Sequence, residues 1–149
     1  MADIRHRVGI DAPIADVYEA IATAEGLTTW WTRDVTGEST VGGALTFRFG
    51  GADRQIVMEV VELTPPTRVG WRGGSGGPAE WLGTTVTFDL RDEGGETVVM
   101  FTHAGWSEPV EFMYHCGTKW ASYLLSLKRG LDGGKGAPWP DDDHVSSWD

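Results

Sequence analysis

The fold turns on the stretch Pro109-Val110-Glu111-Phe112-Met113-Tyr114-His115-Cys116-Gly117-Thr118-Lys119-Trp120-Ala121-Ser122-Tyr123-Leu124-Leu125-Ser126-Leu127-Lys128-Arg129-Gly130-Leu131. Within it Val110, Met113, Gly117, Trp120, Leu124, Leu127 and Leu131 step by three and four, one apolar face on a helix of roughly six turns. Lys119, Ser122, Ser126 and Arg129 lie off that stripe. Ser107 is the expected N-cap, and Glu108 and Glu111 suit the positive end of the helix dipole. Gly130 and Gly133-Gly134 are the expected stop. An apolar face this long needs a broad surface to bury it.

The residues upstream supply that surface. Ile4, His6, Val8 and Ile10 alternate with Asp3, Arg5 and Arg7, the period of a half-buried strand. Pro13 opens a short helix through Val17, Tyr18 and Ile21 to Ala24, and Leu27 to Trp31 reads as a second. From residue 35 to 106 the pattern is strand after strand: Ala44–Phe49, Arg54–Leu63, Arg68–Arg72, Trp81–Leu90 and Thr97–Trp106. Gly42-Gly43, Pro65-Pro66, the run Gly73 to Pro78 and Asp92 to Gly95 punctuate them. Such short connections force antiparallel pairing, because parallel strands need long crossovers. The expected class is therefore α+β, with a sheet that curls around one long helix while two short helices close an end.

One domain is expected over residues 1–134, followed by an acidic coil tail, 135–149, in which Asp141-Asp142-Asp143 and Asp149 read as solvated and frayed. Twelve Lys and Arg stand against 22 Asp and Glu, a formal net charge of −10. So acidic a chain repels phosphate backbones, so no nucleic-acid partner is expected. No apolar run is long enough to span a membrane, and no secretory stretch opens the chain. A single cysteine, Cys116, suits a reducing cytoplasm.

The order of elements, the pair Trp30-Trp31, Gly83-Thr84-Thr85-Val86-Thr87-Phe88, Phe101-Thr102-His103-Ala104-Gly105-Trp106 and Trp120…Leu124-Leu125-Ser126-Leu127-Lys128 together carry a likeness. Over residues 3–132 the chain resembles the START/SRPBCC superfamily, and within it the C-terminal domain of the activator of Hsp90 ATPase. The resemblance implies a helix-grip (START/Bet v 1-like) fold, a curved seven-stranded antiparallel sheet gripping the C-terminal helix around a hydrophobic cavity. It implies binding of a lipid, hormone or aromatic polyketide in that cavity, and in a minority of members cyclisation or dehydration. The separate N-terminal domain of the eukaryotic co-chaperone is not part of these 149 residues, so an Hsp90 interaction is not expected.

Eight tryptophans in so short a chain suggest a wide core or a stiff-walled cavity. The candidate cavity set is Trp30, Trp71, Trp81, His103, Trp106, Met113, Tyr114 and Trp120, with His103, Tyr114 and the indole N–H groups orienting a ligand. Plain core filling is the competing reading of the same aromatic residues. His103 shares parity with Val99 and Phe101 and is the leading candidate acid or base, with His6 on the inner face of the first strand weighed alike, although a satisfied core histidine is favoured for both. No metal or cofactor is expected: His115 and Cys116 are about 100° apart on a helix and cannot share an ion. Gly73-Gly74-Ser75-Gly76-Gly77 lacks the context of a nucleophile elbow or a P-loop. Three functions follow: a small-molecule binding module, stress-related or otherwise; a cyclase or dehydratase acting through His103; or a protein-interaction domain or homodimer with a collapsed cavity.

Overall fold

A computed structural model describes residues 1–51 and 53–149. The elements run β1 (Ala2–Ile10), α1 (Ile14–Ala22), α2 (Ala24–Leu27), β2 (Asp34–Gly37), β3 (Ala44–Arg48), β4 (Gln55–Thr64), β5 (Arg68–Gly73), a 3-10 turn (Ala79–Trp81), β6 (Thr85–Glu93), β7 (Glu96–Trp106) and α3 (Glu111–Leu131). The strands form one seven-stranded sheet in the order β1-β7-β6-β5-β4-β3-β2, every neighbouring pair antiparallel. Six strands form a meander, and the first strand of the chain closes against the last. This is the α+β helix-grip architecture expected from the sequence.

Alternation works as anticipated where strands are regular. In β7, Val99, Phe101 and His103 face inward, and Met100 between them faces out. In β4, Met58 and Val60 are buried while Glu59 turns outward and pairs with Arg72, so Glu59 is a surface carboxylate. Three local readings are corrected. Residues 79–81 coil into a 3-10 turn, which breaks the expected strand from Trp81 and leaves Leu82 in solvent. The second short helix lies earlier than expected, at Ala24–Leu27, because the Thr23 hydroxyl caps it by accepting from Gly26 N–H. The long helix starts at Glu111 rather than at Pro109, since Val110 is the extended N-cap residue (ψ 165°) and Ser107 caps nothing. Glu111 still occupies the first turn, and Lys128 and Arg129 the last, as the helix dipole favours.

Between α3 and the sheet the space is filled by rings. Trp31 lies 5.9 Å from Trp71 and 4.8 Å from Trp120, and Trp120 stacks on Trp81 at 5.8 Å. Phe101 meets Trp120 at 4.6 Å, and Phe88 meets Trp71 edge-on at 5.1 Å. Fully burying each such ring removes on the order of 150–250 Å² from water, which makes this stack the main apolar contribution to the core. The centre of the grip is therefore packed, and the open space lies to one side of it.

Candidate functional site

That open space is a cavity of about 510 Å³. One wall is the face of α3 carrying Phe112, His115, Cys116, Lys119, Trp120 and Tyr123. The opposite wall is Phe49 of the β3–β4 connection and Ile56 at the start of β4, together with Gly76, Gly77 and Pro78 of the β5–β6 loop. Trp31 and Trp81 complete the interior, and Trp139, Asp142, Trp148 and Asp149 of the tail cover it.

Backbone hydrogen bonds bring the tail there. Trp139 N–H donates to Trp31 O at 2.8 Å and Arg33 N–H donates to Trp139 O at 3.3 Å, a short bridge beside the turn after α2. Gly136 passes so close to Thr29 that an added Cβ would lie 2.2 Å from its carbonyl oxygen, so only glycine fits at this crossing. Ser126 on α3 donates to Trp30 O and accepts from Ala137 N–H at 2.7 Å, which ties helix, turn and tail together.

The polar end of the cavity is built where α3 meets the tail. Lys119 Nζ donates to Asp142 Oδ2 at 2.8 Å, to the Asp143 carbonyl at 3.0 Å, and approaches Asp149 Oδ2 at 3.2 Å. The Tyr123 hydroxyl donates to the same Asp142 oxygen. The Asp142, Lys119 and Asp149 side chains are only 8%, 17% and 18% exposed, so these groups are latched, while Asp141 and Asp143 of the same run stay exposed as expected. Asp149 also accepts from the backbone N–H groups of Val145 and Ser146, and its pKa lies below the ordinary range. Burial and the neighbouring Asp142 carboxylate hold the Tyr123 phenol well above its usual value. His115 Nδ1 bonds Ser146 Oγ at 2.6 Å, and burial depresses its pKa, so it is neutral near pH 7. Burial pushes the Cys116 thiol up to about 12.

Of the eight residues expected to form the cavity, Trp81 and Trp120 line it. Trp30 is buried beneath, its indole N–H donating to Ala20 O at 2.9 Å. Trp71 and Trp106 are core, and their indole N–H groups find no acceptor among the described residues. Met113 is half-buried on another side of α3, and Tyr114 is 73% exposed on its outer face. His103 is fully buried below Trp120 and away from the cavity. Trp120 Nε1–H donates to His103 Nδ1 at 3.1 Å, and Thr84 Oγ1 lies 2.8 Å from His103 Nε2 and donates onward to Trp81 O. Both ring nitrogens are engaged, and burial drives the pKa down to about 3. A neutral ring with no free nitrogen and no access to the cavity cannot exchange protons with a ligand there. His6, the other inward histidine, bonds the Gly117 carbonyl at 2.9 Å.

The residues missed had partial signals. Phe112, Cys116, Lys119 and Tyr123 also step by four and three, a second stripe beside the first. The tail's Trp139 and Trp148 read as docking onto the body rather than meeting a ligand; they do reach back over it, and they also line the cavity, for which no periodicity gave a signal.

A curved antiparallel sheet gripping a long C-terminal helix, with an aromatic cavity at its side, defines a helix-grip domain of the START/SRPBCC type. Residues 11–132 match the family described as Activator of Hsp90 ATPase homolog 1-like protein, and the chain belongs to that family. It is similar to the Aha1 dimer from Colwellia psychrerythraea at 42% identity over 91% of this chain and 100% of that one, with a TM-score of 0.83. CalU16 from Micromonospora echinospora shares the fold at 20% identity and a TM-score of 0.79, over 99% of this chain and 75% of that one. The protein SSP2350 from Staphylococcus saprophyticus shares it at 19% identity and 0.74, over 91% and 95%. No curated protein matches the sequence.

Proposed function

We propose that this domain binds a small apolar or aromatic molecule in the cavity between α3, the β3–β4 connection and the tail. The observation that carries the reading is the cavity itself: about 510 Å³, within the range of small-molecule sites. Its walls are rings held rigid by the stack behind them, with a few polar groups gathered at one end. Rigid walls favour binding because little side-chain freedom is lost when a ligand arrives. Membership of a family with the helix-grip fold supports the same reading. His103 takes no part in it, which counts against a cyclase working through that residue, and the open cavity counts against a collapsed interaction domain.

The test is titration with an uncharged solvatochromic naphthalene dye. Expected are saturable binding, a blue-shifted dye emission and quenching of tryptophan fluorescence through Trp31, Trp81 and Trp120. Ile56→Trp, which fills the cavity from its β4 wall, is expected to weaken dye binding while leaving the circular dichroism spectrum unchanged. Absence of saturable binding by the wild-type protein, or equal binding by the folded Ile56→Trp variant, overturns the reading.

A further inference from the structure

We infer that the cavity selects a cationic ligand, an apolar or aromatic body carrying an ammonium or similar N–H cation. The inference rests on the reading that the cavity binds a small molecule, and it is carried by the hydrogen-bond inventory of the polar end. An ammonium has three N–H donors and no acceptor. Lys119 donates to Asp142 Oδ2 and the Asp143 carbonyl, and its remaining side is closed by the ion pair with Asp149 Oδ2 at 3.2 Å. A ligand carboxylate or phosphate therefore finds no free donor on Lys119, the only ammonium that lines the cavity among the described residues. Arg54, the other cation on its walls, is solvent-exposed at the rim, beside exposed Asp53.

The acceptor side is in surplus. Asp142 uses Oδ2 for both Lys119 and Tyr123, and among the described residues nothing hydrogen-bonds its Oδ1. Two carboxylates share the Lys119 ammonium, and His115 is neutral; exposed His144 only approaches Asp149 Oδ2 from outside, at 3.5 Å, so the Lys119, Asp142 and Asp149 group itself holds one negative charge in excess. Partial burial makes that excess felt more strongly than a surface charge would be. The surroundings are aromatic: Trp31, Trp120, Tyr123, Trp139 and Trp148 all line the same space. Ring faces carry negative electrostatic potential and attract cations, so walls and carboxylates favour the same sign of charge.

Three probes with one body separate the outcomes: 1-naphthylmethylammonium, 1-naphthalenemethanol and 1-naphthoate, titrated near pH 7 at physiological salt. The ammonium is expected to bind about tenfold more tightly than the naphthoate, the scale of one charge-assisted hydrogen bond, with the alcohol between them. Asp142→Asn keeps an acceptor for Tyr123 but removes the excess charge, and is expected to bring ammonium and naphthoate within about twofold, a loss of that same bond. Lys119→Gln is expected to act in the opposite direction and widen the preference. Melting curves report whether each variant is folded, and either folded variant suffices to decide. Equal binding of naphthoate and ammonium by the wild type overturns the inference, as does a preference unmoved in the folded variants, which would trace it to the protein's overall charge. Failure of the neutral alcohol to bind overturns the ligand-binding reading itself.

Discussion

The indole of Trp120 donates its single N–H to Nδ1 of His103 at 3.1 Å. Indole nitrogen can only donate, so Nδ1 must accept, and the proton of the neutral imidazole is placed on Nε2, facing Thr84 Oγ1. The Thr84 hydroxyl then donates to the Trp81 carbonyl. One helix residue thereby sets the tautomer of a strand residue, and the network links α3 to β7 and to the 3-10 turn before β6 without a free polar atom at the histidine.

The network predicts acid sensitivity. Because burial lowers the His103 pKa from 6.5 to about 3, the unfolded chain binds a proton between those values that the folded chain does not. Stability from this group is complete above pH 6.5 and falls as pH drops toward 3, by up to about 1.4 kcal/mol per pH unit. The His103 imidazole resonances are expected to show the Nε2–H tautomer and no titration between pH 5 and 8. A midpoint near 6.5 would contradict the buried, bonded ring.

Thr84→Val isolates one link. Valine matches threonine in shape but accepts nothing, so the His103 Nε2–H is left buried without a partner, at a cost of about 1–3 kcal/mol. Urea unfolding is expected to show that loss. Affinity for the uncharged dye is expected to stay within about twofold, because Thr84 does not line the cavity. A large loss of dye affinity with intact stability would mean that the network reaches the ligand after all.

Gly50 and Trp139 give a test of the tail. Gly50 has a φ of +101°, and a Cβ there would lie 3.1 Å from Trp139 Cζ2. Gly50→Ala thus meets both backbone strain and a ring that holds the tail against Phe49, and is expected to cost roughly 1–2 kcal/mol. Limited proteolysis is expected to cut residues 140–149 faster in this variant. Unchanged cleavage would show that the tail is held without the Trp139 ring.

Much of this architecture was legible in the chain because periodicity is a local property. The stripe through Met113, Trp120, Leu124 and Leu127 and the alternation of Val99, Phe101 and His103 each follow from geometry within one element. What failed to show were encounters between distant segments. Trp31 and Trp30 are adjacent and equally apolar, yet Trp31 lines the cavity while Trp30 bonds α1, and only the path of the turn after α2 distinguishes them. The acidic tail read as solvated because its partners, Lys119 and Tyr123, lie some twenty residues upstream. His103 was placed on the correct face, but parity says nothing of how deep a side chain sits, and the Trp120 ring covers it.

Cys116 offers a probe of the cavity that does not depend on fluorescence. It is nearly buried, yet it lines the space, and its thiol is raised from 9.0 to about 12 because the thiolate would be poorly solvated there. The reactive species is the thiolate, so at pH 8 the ionised fraction is about a thousandfold smaller than for a free thiol of pKa 9.0. Alkylation by iodoacetamide, followed by mass spectrometry, is expected to be slow in the native protein and to reach the ordinary rate in denaturing urea. An occupied cavity removes what access the reagent has, so saturating 1-naphthalenemethanol is expected to slow the native reaction further. The two effects separate by pH: ionisation control makes the native rate rise about tenfold per unit up to the raised pKa, whereas protection by the ligand is independent of pH. Rapid alkylation at pH 8 would place Cys116 in solvent, and protection that failed to saturate would place the naphthalene outside the cavity.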